Sequence, residues 1–112
     1  MTSNELITEE SVQKALDFLR DNAERAGELR GQRYQLEEGR KAIKATLMKR
    51  HVRQPVNDQE REAYADPEYM EYLKGVAEAI AADEEARWLM KSAEARIEAW
   101  RTYNANLRAM KI

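Results

Sequence analysis

A chain of 112 residues is of single-domain length, and 19 basic against 21 acidic residues leave a formal net charge of −2, which excludes a global basic field for nucleic acid. The absence of Cys excludes disulfides, thiolate nucleophiles and Cys-based zinc sites, and the single histidine, His51, excludes a metal site of several imidazoles within one chain. The polar start MTSNELITEE lacks the pattern of a signal peptide, and no apolar run approaches the roughly 18 residues of a membrane span, so a cytoplasmic protein with no membrane partner is expected.

In chain order, the first element is a helix over about 9–50. Thr8 is placed to cap it, and Glu9 and Glu10 sit at the positive end of its dipole. From Val12, the residues Ala15, Leu19, Ala26, Leu29, Leu36, Ile43 and Leu47 recur at helical spacing. Gly27, Gly31 and Gly39 interrupt this pattern, each at about 1 kcal/mol relative to Ala, and close approach of a partner helix is expected to offset that cost. A linker over 52–66 contains a short helical turn, for which Asn57 and Glu60 resemble a capping box. Asp66 followed by Pro67 is the clearest start signal in the chain and opens a second helix over about 67–110.

The second helix fits a heptad, with Tyr69, Val76, Asp83, Met90, Ile97 and Asn104 at one core position and Ala79, Ala86, Ala93, Trp100 and Leu107 at the other. Folding back at the linker gives an all-α class: a long antiparallel two-helix hairpin, coiled-coil-like, forming one domain over 1–112. Asp83 then comes near Arg33, and the polar seam residues Asp83, Asn104, Arg33 and Arg40 are expected to set register. Two helices bury a single strip, so the hairpin is expected to dimerise into a four-helix bundle. Leu73, Ile80, Trp88, Ala95 and Ala99 are the candidate partner interface, lying off the seam.

No catalytic constellation is legible. Carboxylate di-metal bundles need Glu-x-x-His, which is absent, and the glycines are scattered through helix rather than clustered in a phosphate loop. No cofactor or metal is expected. The main charge asymmetry is at the hairpin tip, where Arg40, Lys41, Lys44, Lys49, Arg50 and Arg53 place six positive charges in fourteen residues with no acid among them. These six are the candidate nucleic-acid-binding residues, with Tyr64, Tyr69 and Tyr72 beyond them able to stack on unpaired bases. The competing account is that the cations complement a helix C-terminus while Asp58, Glu60, Glu62, Asp66, Glu68 and Glu71 fold back and neutralise them.

Near the C-terminus, Ile97, Trp100, Arg101, Asn104, Asn106, Arg108 and Ala109 stand in the order I-x-x-W-R-x-x-N-A-N-x-R-A. This segment, about 20 of the 112 residues, resembles the tail of small uncharacterised bacteriophage proteins that are helical and encoded among recombination and replication genes. The resemblance implies a phage or prophage origin, hence a bacterial host, and carries over no catalytic or binding residue. Three readings follow. The first is a non-enzymatic accessory protein contacting single-stranded DNA or a recombination or replication protein. The second is a protein-binding module or inhibitor of a host protein that acts by occupation, and the third is a structural bundle protein.

Overall fold

A computed structural model describes residues 7–111, and almost all of them are helical. Three α-helices follow in order: α1 (Glu9–Met48), α2 (Val56–Ala65) and α3 (Pro67–Met110), with a 3₁₀ turn at Lys49–His51 closing α1. Among the described residues no strand occurs. The all-α class therefore holds.

The helix starts show which capping signals act. The Thr8 hydroxyl accepts the Ser11 N–H at 3.1 Å, and the Thr8 N–H donates to Ser11 Oγ at 3.0 Å. This is a reciprocal box in which Ser11 takes the part usually played by Glu. At α3, Asp66 Oδ1 accepts the Glu68 N–H at 2.8 Å and Pro67 occupies the first turn, as the Asp-Pro pair leads one to expect. The linker differs from expectation. Its helical part is ten residues long rather than a turn, and it starts after Pro55, with no side-chain cap and with Asn57 inside the helix. Pro at this boundary has no N–H to satisfy and a fixed φ, which outweighs the Asn57–Glu60 signal. Gln59 secures the bend by donating to the Gln54 carbonyl at 2.9 Å.

The chain divides into two compact units. One joins the segment up to Ala26 with the segment from Glu85, and the other is Gly27–Glu84. In the Gly27–Glu84 unit, Leu47, Ala63 and Val76 are buried, with Leu47 and Ala63 fully so. Four sets of contacts tie its segments together: Arg33 to Asp83, Tyr72 to the Leu36 carbonyl, Lys44 to Glu60, and Arg50 to Asp66. In sequence, Arg33–Asp83 encloses Leu36–Tyr72, which encloses the other two pairs.

In the other unit Val12, Ala15 and Ala93 form the buried core. Its described side-chain hydrogen bonds and ion pairs over 9–24 and 88–110 each lie within one helix, as in Lys14–Glu10, Arg20–Asp17 and Arg101–Glu98.

The glycines separate into two kinds. A methyl group at Gly27 or Gly31 would meet open space, so the expected close approach does not occur at those positions and their helix cost is not offset by packing. At Gly39 a Cβ would overlap the Tyr72 hydroxyl, which donates to the Leu36 carbonyl at 2.8 Å. Only here does the missing side chain make room for a neighbour.

Candidate functional site

The basic segment Arg40–Arg53 belongs to the last turns of α1, the 3₁₀ turn and the residues just after it. Its six cations do not form one open patch. Lys44 Nζ donates to Glu60 Oε1 at 2.8 Å and lies 4.7 Å from the Tyr64 ring centroid. Tyr64 in turn meets Tyr69 edge to face at 5.3 Å. Arg50 donates to Asp66 Oδ2 at 3.2 Å and to Glu68 Oε1 at 2.8 Å. Asp66 therefore caps α3 with one oxygen and holds the end of α1 with the other. Arg40 is exposed and returns to its own helix, donating to the Glu37 carbonyl at 3.3 Å. Lys41, Lys49 and Arg53 are exposed.

Three of the six acids beyond the turn thus fold back onto the basic end, while Asp58 pairs within α2 with Arg61 at 2.9 Å. The aromatic rings follow the same pattern. Tyr64 is engaged by Lys44 and Tyr69, and the Tyr72 hydroxyl is spent on the Leu36 carbonyl.

The Lys44–Glu60 pair moves both groups away from their ordinary values. The hydrogen bond from Lys44, and then its charge, pull the Glu60 carboxyl down. The hydrogen bond to Glu60 pushes the Lys44 ammonium up. A depressed carboxyl contributes stability above its ordinary value of 4.5, and that contribution is lost as pH falls through the folded value. The raised lysine contributes below its ordinary value of 10.5 and loses the contribution on the alkaline side. Lys44→Met is accordingly expected to flatten the acid limb of thermal stability below pH 4.5. Melting followed by circular dichroism checks this, and an acid limb as steep as that of the parent would sink the assignment.

The seam polar groups separate in the same way. Arg33 bridges Asp83 at 3.0 Å, Glu84 at 2.9 Å and its own-helix Glu37 at 3.1 Å, and these three carboxylates push its guanidinium pKa up. Asp83 is 5% exposed. Arg33 thus meets the acid expected of it, whereas Arg40 stands outside.

The candidate partner face is split between the units. In the Gly27–Glu84 unit, Leu73 and Ile80 are half-buried. In the other, Ala95 and Ala99 are exposed and Trp88 is 60% exposed, with the Lys91 ammonium 5.0 Å from its ring centroid. That same unit contains an open groove of about 290 Å³, floored by Ala15 and Ala93 and walled by Phe18, Leu89, Lys14 and Arg96. Helical spacing within the buried seam does not pick out Phe18 or Leu89. The available signal is the seven-residue recurrence of Leu89, Arg96, Tyr103 and Met110 beside the seam.

Among the described residues, no group of three or more His, Asp or Glu side chains is arranged to hold a metal ion. Among them too, no helix is long and apolar enough to cross a membrane. No protein-family model, curated protein or solved structure matches the chain.

Proposed function

We propose that this chain is a non-enzymatic, phage-type accessory protein that acts by binding another protein. In this reading it is an antiparallel, coiled-coil-like hairpin that pairs into a four-helix bundle in the cytoplasm of a phage-infected or prophage-carrying bacterium. One observation carries the choice of a protein partner over nucleic acid: Lys44 and Arg50, at the centre of the basic segment, already hold Glu60, Asp66 and Glu68. Phosphates approaching there meet carboxylates, and the counterions that phosphate binding would release are replaced by fixed acids. Trp88, by contrast, offers a large apolar ring to solvent, 60% exposed, with Ala95 and Ala99 exposed further along α3. Exposed Trp is among the residue types most enriched in protein-binding anchors. The phage resemblance of the C-terminal segment fits small proteins that act by occupation rather than catalysis.

A second reading keeps single-stranded DNA, or a recombination or replication protein, at the exposed Lys41, Lys49 and Arg53, with Arg40, Lys44 and Arg50 flanking them. Fluorescence anisotropy of labelled single-stranded and duplex DNA at two salt concentrations separates the readings. Weak binding, unchanged when Lys41, Lys49 and Arg53 are replaced by Glu, is expected. Tight binding that weakens steeply with salt and disappears in that variant with helicity intact would overturn the choice. In parallel, a partner protein captured from host lysate should be lost on Trp88→Ala.

A further inference from the structure

In a two-stranded coiled coil, the columns flanking the apolar seam are normally charged, because they sit at the edge of the interface in water. Along the second half of α3 one flanking column is Leu89, Arg96, Tyr103 and Met110, spaced by seven. Three of the four are apolar, and they lie open: Leu89 is 49% and Met110 80% exposed. The matching column of α1 contains Phe18, which lines the same groove as Leu89. An apolar stripe three columns wide is the pattern of a helix in a larger bundle rather than in a lone pair.

Charge identifies what covers it. Charge is divided between the two helices of this unit. The first half of α1 holds Glu9, Glu10, Asp17, Asp21 and Glu24 against Lys14, Arg20 and Arg25. From Glu85 onward α3 holds Glu85, Glu94 and Glu98 against five bases, among them Arg96 and Arg108. Arg96 and Arg108 pair with no carboxylate among the described residues, whereas α1 carries an excess of acid. A helix with an apolar stripe and basic edges is complementary to an acidic helix, and this chain supplies one.

We infer that a second copy of this chain covers the Leu89–Met110 stripe, its acidic first half of α1 lying along the basic second half of α3. A two-fold axis makes the contact twice, acid on base and base on acid, and closes the assembly at two copies. The inference rests on the proposed pairing into a four-helix bundle and locates it on a different side of α3 from Trp88.

Sedimentation velocity on the full chain over a concentration series, with helicity monitored by circular dichroism, tests it. The parent chain is expected to be a dimer. Leu89→Glu is expected to be a helical monomer at concentrations where the parent is paired, and Trp88→Glu to remain a dimer. Arg96→Glu is expected to weaken pairing, and adding Asp21→Lys to that variant to restore it. A monomeric parent chain at every concentration would overturn both this inference and the bundle itself. A dimer broken by Trp88→Glu and indifferent to Leu89→Glu would overturn the location alone and leave the bundle standing.

Discussion

Leu47→Ala is expected to remove about 2–5 kcal/mol of stability, a large share of the roughly 5–15 kcal/mol of an ordinary domain. The reason is how little else is buried. Among the described residues Leu47 is the one large side chain with 0% exposure, and the other buried apolar positions are Val12, Ala15, Ala63, Val76 and Ala93. Truncating it forfeits transfer free energy and opens a cavity in a unit whose other buried apolar residues are only Ala63 and Val76. Leu16→Ala provides the control on the same helix, since Leu16 is 46% exposed and should cost little. Urea unfolding followed at 222 nm is the measurement. The expected result is a lower midpoint with unchanged slope for Leu47→Ala and an almost unmoved midpoint for Leu16→Ala. Equal shifts in the two variants would show that burial at Leu47 is not what holds this unit.

Arg33→Leu is expected to destabilise the chain in a way that depends on pH in the opposite sense to the Glu60 contribution. Its guanidinium holds Asp83, whose side chain is 8% exposed, so removing the cation strands a carboxylate in the seam. A buried lone carboxylate tolerates its surroundings only when protonated, so the variant should gain stability as pH is lowered from 7 to about 4.5. The parent chain gains nothing over that range. The Glu84, Glu37 and Asp83 carboxylates raise Arg33 above the already high arginine value, so its contribution is fully present across that range and is lost only in strong alkali. The double variant Arg33→Leu, Asp83→Leu should recover much of the loss, because a charge pair replaced as a unit leaves nothing unpaired. Thermal melts at the two pH values decide the matter. A loss that is identical at both would mean that Asp83 finds another partner or water.

Much of the fold is legible in the residues because its signals are local. Thr8 and the Asp66–Pro67 pair specify helix starts by hydrogen bonds within three residues, and they act as such. The two heptad positions, one holding Val76 and Asp83 and the other Ala93, are the ones buried on α3. The failures have a different origin. Asn57 has the right spacing for a cap, but Pro55 fixes the backbone two residues earlier. Gly27, Gly31 and Gly39 look alike in sequence, and only the position of Tyr72 distinguishes the last. The candidate site was legible as composition but not as geometry: the six cations and the nearby acids are plain in the chain, yet which carboxylate meets which cation depends on the bend between α1 and α3. Phe18 and Leu89 escape notice because their importance comes from two helices meeting, not from either alone.

The contacts of the Gly27–Glu84 unit widen away from the bend, with overlapping short pairs enclosed by two longer ones. Lys44–Glu60 and Arg50–Asp66 each span 16 residues, Arg50–Glu68 spans 18, Tyr72–Leu36 spans 36 and Arg33–Asp83 spans 50. Chain entropy makes the shortest loops the easiest to close, and each closure shortens the free loop that the next must span. Order of assembly is thereby written into this unit. The bend forms first, and the two segments zip outward from it. The charged residues around that bend serve as the latch from which the register of everything later is counted, whatever else binds there.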